Sequence, residues 1–252
     1  MVDAITTLGL LDDADIALDR AALEIAALDH DGVDLAPYLA LLDQIETRLR
    51  AGGDGARTPA QRAARLRAVL AGEFDFEGDR ASYDHPANAD LIRVLDRRRG
   101  LPIALGVLYV AMARRVGWAA YALNTPGHAL VRVGAASRSA PGVVVDPFNG
   151  GALVEASPGA GGPLTNRAVL VRLLTNEASR AEAAGLDDRA LTVFRRTTCV
   201  APAYSWGWWD RARLERASGD IASARGSLSA MLETTRKADL RRQVTDALAA
   251  LG

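Results

Sequence analysis

The sequence contains a single cysteine, Cys199, among its 252 residues. One thiol excludes an intrachain disulfide and a zinc site built from several thiolates. A chain that carries no disulfide is compatible with the reducing cytoplasm. We therefore expect a cytoplasmic protein.

Long apolar runs and an excess of charge are also missing. The longest apolar stretch, "LPIALGVLYVAMA", covers only 101–113, well short of the ~20 residues that span a bilayer as a helix. The first twenty residues carry Asp3, Asp12, Asp13 and Asp15, where an export signal needs basic residues and an apolar core. The net charge of -1 gives no attraction to nucleic acid or anionic lipid. We expect neither a membrane nor a nucleic acid as partner.

Helical periodicity dominates the first hundred residues. Apolar side chains recur at helical spacing over 15–50, and Pro59 suits the first position of the next helix, which continues through "AQRAARLRAVLAGEF". Gly100 is expected to cap a short helix that starts near Leu91. These segments predict a helical N-terminal layer.

A buried helix and short strands follow. Pro102 fits the first turn of an apolar helix that runs from Leu101 to Arg115. After it, "AAYALNTP", "GHALVRVG" and "PGVVVDPFNG" are rich in Val and Leu and bounded by Gly and Pro, as in strands joined by tight turns. The predicted fold class is α+β, with the helical layer on a small antiparallel sheet and a buried core helix.

Helical periodicity returns after Leu164 and continues to the end. Within it, Ala190 and Ala224 are separated by 34 positions, as are Phe194 and Leu228, which is a spacing of tetratricopeptide repeats. We therefore predict two domains, an α+β domain over 1–163 and an all-α, tetratricopeptide-like tail over 164–252.

Three of the four tryptophans, Trp206, Trp208 and Trp209, lie in one tail segment. In a short repeat array such residues usually pack between helices. A ligand-binding groove lined by them is the alternative, so all three are candidate binding residues.

His128 and Asp146 are the candidate catalytic residues. Alternation in "HALVRV" places His128 on one strand face with Arg132, and Asp146 follows "VVV" at the end of the next strand. A histidine and an aspartate on neighbouring strands form two thirds of a catalytic triad. Each also has a structural interpretation: His128 would hold its strand by a hydrogen bond, and Asp146 would cap the turn before Pro147.

Three motifs in this order, "RRRGLPIALGVLYVAMARRVGW", "NTPGHALVRV" and "VVVDPFNGG", resemble the SirB-type family of bacterial proteins. The resemblance implies a transglutaminase-like, papain-like domain followed by a tetratricopeptide-like tail. In that superfamily a cysteine near the start of the core helix attacks a carbonyl, a histidine takes its proton and an aspartate orients the histidine. By position, His128 and Asp146 match the last two.

This sequence lacks the cysteine nucleophile of the superfamily, because Pro102, Ile103 and Ala104 occupy the positions where the cysteine would be. No Ser or Thr occurs over 100–118, and Cys199 ends a tail helix, where a free cysteine is usually a small apolar residue. We expect a non-catalytic protein that binds a protein or peptide, without a cofactor. Two alternatives stay open: a hydrolase or transferase with His128 and Asp146 as general base, and a vestigial cleft beside a working tail.

Asp84 and His85, in "SYDHPAN", are further candidate binding residues that would join the same cleft. The pattern equally suits a turn or a helix N-cap. His85 with His128 and Asp146 would supply metal ligands, but nothing in their spacing supports such a site, and we expect no metal.

Overall fold

The structure is a computed structural model that describes residues 4–53, 55–125, 127–137, 139–155 and 161–251. In chain order, its helices are α1 (Ala4–Leu10), α2 (Leu18–Ala27), α3 (Ala36–Arg50), α4 (Pro59–Arg67), α5 (Leu91–Arg97), α6 (Pro102–Arg115), α7 (Asn166–Ala183), α8 (Asp187–Val200), α9 (Ser205–Ala217), α10 (Ile221–Thr234) and α11 (Ala238–Ala249). Its strands are β1 (Glu77–Gly78), β2 (Arg99–Gly100), β3 (Ala120–Ala122), β4 (Val131–Gly134), β5 (Gly142–Asp146) and β6 (Ala152–Val154).

The chain forms two compact units. The α+β unit covers residues 13–170, and the helical unit combines the described residues before 13 with those after 170. The boundary placed between 163 and 164 by the sequence stays a prediction. No helix in the described ranges has both the length and the apolar character required to cross a bilayer.

The main sheet of the α+β unit has four antiparallel strands in the order β3-β4-β5-β6. Val131 at the start of β4 pairs with Val145, so the strand begins three residues after His128 and not at it. The predicted strand "GHALVRV" is therefore too long at its start. His128 lies in the bend that leads into β4.

Helix α6 is the core of the α+β unit, as the apolar sequence predicts. Every residue from Pro102 to Ala113 is buried, because the helix packs on β3 and β4 and on α2, α3, α4 and α5. A helix that is apolar all round requires such complete cover. The mixed α+β fold with a buried core helix is confirmed.

Arg115, at the end of α6, forms ion pairs with the helical layer. Its guanidinium lies 2.7 Å from Asp19 of α2 and 3.2 Å from Glu46 of α3. Asp19 is itself buried, and a carboxylate removed from water requires such a partner. The layer is therefore held to α6 by charge as well as by apolar packing.

The end of α5 differs from the prediction. The helix is closed by Arg98 in the left-handed conformation, with φ 60°, and not by Gly100. The Arg98 guanidinium lies over the Phe76 ring, 4.8 Å from its centroid. Gly100 belongs to β2 instead, where a Cβ would meet the Val94 side chain at 2.9 Å. The glycine is needed there for close packing.

In the helical unit, α8, α9, α10 and α11 pack against their neighbours in sequence. The four residues behind the predicted repeat, Ala190, Phe194, Ala224 and Leu228, are all buried. A helical C-terminal region is thereby confirmed. Its assignment to tetratricopeptide repeats stays a prediction.

Candidate active site of the α+β unit

His128 and Asp146 form a hydrogen-bonded pair in the α+β unit. His128 Nε2 lies 2.8 Å from Asp146 Oδ1, and the two side chains are 36% and 7% exposed. Asp146 is the last residue of β5, and its partner Ala152 begins β6. The Thr125 hydroxyl donates to the His128 carbonyl, which fixes the bend that carries the imidazole.

The Asp146 carboxylate also shapes the chain that follows it. Its Oδ1 accepts from the backbone N–H of Phe148 at 3.0 Å and of Asn149 at 3.3 Å, so Asp146 caps the single 3₁₀ turn Pro147–Asn149. Its Oδ2 accepts from the Asn149 side chain. The turn-capping role and the pairing with His128 therefore coexist in one side chain.

Asp146 Oδ1 already accepts from two backbone N–H groups, so Nε2 is the donor in its contact with His128 and Nδ1 is the ring nitrogen that faces any other partner. No described residue makes a hydrogen bond to Nδ1. This nitrogen is the atom that a nucleophile or a bound group would meet.

At the start of α6, Pro102, Ile103 and Ala104 are buried and apolar. None of these side chains carries a group that attacks a carbonyl. Cys199 lies on α8 in the helical unit. The structure describes no thiol in the α+β unit.

Phe148 joins the His128–Asp146 pair to a neighbouring loop. Its ring makes edge contacts with His128 and Tyr83, at centroid distances of 6.0 and 5.7 Å. The Arg80 guanidinium lies 5.5 Å from the same centroid and donates to Asn149 Oδ1. We call His128, Phe148, Tyr83 and Arg80 the dyad surface. Tyr83 is 38% exposed.

The loop that carries Tyr83 is held by buried polar groups that the sequence did not reveal. Asn88 Nδ2 donates to the carbonyls of Ser82 and Tyr83, and Arg97 bridges Asn88 and Asp79, the latter at 2.6 Å. Burial alone would raise the pKa of Asp79, but hydrogen bonds from the Ser82 N–H, Arg97 and Asn88 outweigh it and hold that pKa below its ordinary value. These partners are 3 to 18 residues from Asp79, in no recognisable motif.

Asp84 and His85 are both exposed. His85 Nδ1 accepts from the Ala87 N–H at 3.2 Å and begins the 3₁₀ turn Pro86–Asn88. His85 thus has the N-capping role that the sequence left open, and no hydrogen bond joins it to His128 or Asp146. Across the described ranges, no group of three or more His, Cys, Asp or Glu side chains is placed to hold a metal.

Tyr109 of α6 lies against the turn between β5 and β6. It is fully buried, and its hydroxyl has no hydrogen-bond partner among the described residues. Burial raises the pKa of Tyr109, with Glu77 and Asp146 adding to the shift. Gly151, with φ 73°, passes so close that a Cβ there would lie 2.6 Å from the Tyr109 hydroxyl. The phenol therefore supports the β5–β6 turn as a neutral group.

The three tail tryptophans have different surroundings. Trp208 donates from Nε1 to the Pro202 carbonyl at 2.8 Å, and Trp208 and Trp209 both pack on the buried cluster around Met231. Trp206 is 43% exposed. Trp208 and Trp209 thus take part in helix packing, and a binding role for any of the three tryptophans stays a prediction.

Comparison with known proteins assigns the chain to a protein family. A family model described as transglutaminase-like superfamily matches residues 36–175, which include α6, the four-stranded sheet and the His128–Asp146 pair.

Relatives are found in bacteria and in animals. A UPF0162 protein of Xylella fastidiosa strain 9a5c is 28% identical over 90% of this chain and 87% of its own. A second, from strain Temecula1, is 30% identical over 67% of this chain and 66% of its own. F-box only protein 21 of Mus musculus is 35% identical over 32% of this chain and 12% of its own.

A crystal structure of menin is also similar, at 10% identity and a TM-score of 0.45, over 90% of this chain and 68% of menin. That score is too low to assign a fold. The SirB-type name stays a resemblance, since the bacterial relatives carry the name UPF0162. From the matched segment and these relatives, the chain belongs to the transglutaminase-like superfamily.

Proposed function

We propose that this protein is a non-catalytic member of its superfamily and that the dyad surface binds a protein or peptide segment. The observation that carries the proposal is the pairing of an ordered His128–Asp146 dyad with buried apolar residues at the start of α6. Acyl transfer by covalent catalysis requires a nucleophile within hydrogen-bond reach of the base. Without one, the dyad supplies hydrogen bonds and shape.

The composition of the dyad surface supports binding. Tyrosine and arginine are enriched among residues that dominate binding energy, because they combine a large apolar area with a polar end. Here Tyr83 and Arg80 both contact the Phe148 ring, so the surface is pre-ordered. The network of Asp79, Asn88 and Arg97 holds the loop, which lowers the entropy cost of binding.

The proposed partner is a cytoplasmic protein or a peptide segment of one, bound without a cofactor. His128 Nδ1 offers one hydrogen-bonding position, and Arg80 offers a cation. A peptide segment meets both requirements if it places polar backbone or side-chain groups against His128 Nδ1 and the Arg80 guanidinium, beside an apolar side chain.

The test is a selection of displayed peptides on the full-length protein, followed by affinity measurements. We expect Tyr83→Ala to lower the affinity for the selected peptides by about tenfold or more, which is the effect of removing a binding hot spot. Tyr204→Ala is the matched control, since Tyr204 is 37% exposed and lies in the helical unit. It should leave the affinity unchanged.

Equal affinities for Tyr83→Ala and Tyr204→Ala, or no selected peptide, would remove the dyad surface as the binding site. Amide or ester turnover by the wild type, lost in His128→Ala, would show that the protein is an enzyme.

A second function is favoured by one observation, the absence of any described partner at His128 Nδ1. A free basic nitrogen oriented by a carboxylate suits a general base that activates water or a substrate hydroxyl. In that case hydrolysis would fall in both His128→Ala and Asp146→Ala. Activity unchanged in Asp146→Ala would contradict it.

A further inference from the structure

A small apolar pocket opens in the helical unit between α9, α10 and α11. Trp209 and Ala212 of α9, Leu228 of α10, and Ala247 and Leu251 at the end of the α11 segment form its walls. Its volume is 140 Å³. A cavity of about 150 Å³ holds a benzene-sized group, whereas drug-sized ligands and cofactors require about 300 Å³ or more. The pocket therefore fits one side chain of Leu or Phe size.

Charge at the rim restricts the ligand further. The lining includes Arg213 and Arg216 and no acidic residue. Arg213 is engaged with Glu182 of α7, whereas Arg216 is exposed and makes no ion pair with any residue that the structure describes. Across 171–252 basic residues outnumber acidic ones, although the whole chain has a net charge of -1. The pocket rim thus complements a negative group.

We propose that this tail pocket binds a short acidic peptide segment of a partner protein. The segment inserts one Leu- or Phe-sized side chain against Trp209 and places a neighbouring carboxylate beside Arg216. Apolar burial supplies most of the affinity, and the exposed ion pair supplies selectivity with a smaller gain. All residues of this site belong to the helical unit, so it is a second site in addition to the dyad surface.

The experiment measures fluorescence anisotropy of three labelled peptides with the full-length protein. The probe is a glycine-serine peptide with a central Leu-Asp pair, compared with the same peptide carrying Ala-Asp or Leu-Asn. We expect Ala-Asp to bind about tenfold more weakly than Leu-Asp, from the lost apolar area. Leu-Asn should bind about threefold more weakly, from the lost ion pair.

Two variants and one control locate the binding site. Arg216→Glu should weaken Leu-Asp binding and remove its advantage over Leu-Asn. Ala247→Phe should fill the pocket and abolish binding, with its helix content checked by circular dichroism. Arg225→Glu is the matched control, because Arg225 is exposed on α10 outside the pocket, and it should bind as the wild type does.

Equal affinities of the Leu-Asp and Ala-Asp peptides would overturn the proposal. Equal losses of Leu-Asp affinity in Arg216→Glu and Arg225→Glu would overturn it too, as would the absence of measurable Leu-Asp binding to the wild type. Sedimentation velocity tests a second copy of the chain as occupant. Self-association that is lost in Ala247→Phe would replace the peptide by a dimer contact. If Ala247→Phe does not fold, the comparison of Arg216→Glu with Arg225→Glu decides alone.

Discussion

Gly78 of β1 lies directly against the ring of Phe148: a Cβ at Gly78 would stand 2.4 Å from the ring carbons Cγ and Cδ2. Gly78→Ala therefore has to displace Phe148, the residue that joins His128 to Tyr83. We expect a loss of about 2 kcal/mol in the free energy of unfolding, typical of overpacking a core. Urea unfolding measures it.

The control for that substitution is Gly226→Ala. Gly226 lies within α10, and nothing stands within 4 Å of a Cβ there, so alanine should raise stability by about 0.5–1 kcal/mol. If Gly78→Ala is as stable as the wild type, Phe148 is not fixed where the structure places it.

Removing the Asp146 carboxylate should cost more stability than removing the His128 ring. Asp146→Ala leaves the N–H groups of Phe148 and Asn149 without their acceptor, at a cost of about 3 kcal/mol. His128→Ala removes one hydrogen bond from a side chain that is 36% exposed, at about 1 kcal/mol. Amide hydrogen exchange at Phe148 and Asn149 should speed up in Asp146→Ala alone. Equal effects of the two variants would contradict the capping role.

The loop that carries Tyr83 should loosen in acid. Hydrogen bonds keep the pKa of Asp79 below its ordinary value of 3.8, so its contribution to stability is fully present above about pH 4. It is lost as the pH falls through the lowered pKa, because protonation then removes the acceptor charge. Hydrogen exchange over residues 79–90 at decreasing pH measures this loss.

Asp79→Asn should abolish that pH dependence. Asp75→Asn is the control, since the Asp75 side chain is 71% exposed in its ion pair with Arg99 and exposed pairs contribute little. An acid transition in the loop that persists in Asp79→Asn would exclude Asp79 as its cause.

Tyr109→Phe should be neutral or stabilising by up to about 1 kcal/mol. The substitution removes a buried hydroxyl that has no described partner, and a buried polar group without a partner costs free energy. Thermal unfolding of the two proteins gives the difference. A loss above ~1 kcal/mol would show that a bound water satisfies the hydroxyl.

Apolar periodicity was enough to predict the features that depend on local sequence. The core helix from Pro102, the antiparallel strands and the helices after residue 164 all follow from it, because burial determines which residues are apolar. The sequence placed His128 and Asp146 on neighbouring strands and so suggested that the two side chains pair. They do pair, although His128 lies in the bend before β4.

Features created by tertiary contacts were not predictable in this way. The residue that caps α5 in the left-handed conformation is Arg98 and not a glycine, and its side chain lies over the Phe76 ring. Similarly, Asn88, Arg97 and Asp79 come together only when α5 and β1 are in place. Gly100 suggested a cap by its type, while its actual constraint is the Val94 side chain.

The double use of the Asp146 carboxylate bears on how active members of this superfamily are identified. One oxygen both accepts from the N–H groups of the turn after β5 and lies within hydrogen-bond distance of the His128 imidazole, so the turn requires the aspartate whatever the histidine does. An aspartate at this position is thus explained by the turn alone and does not by itself indicate an enzyme.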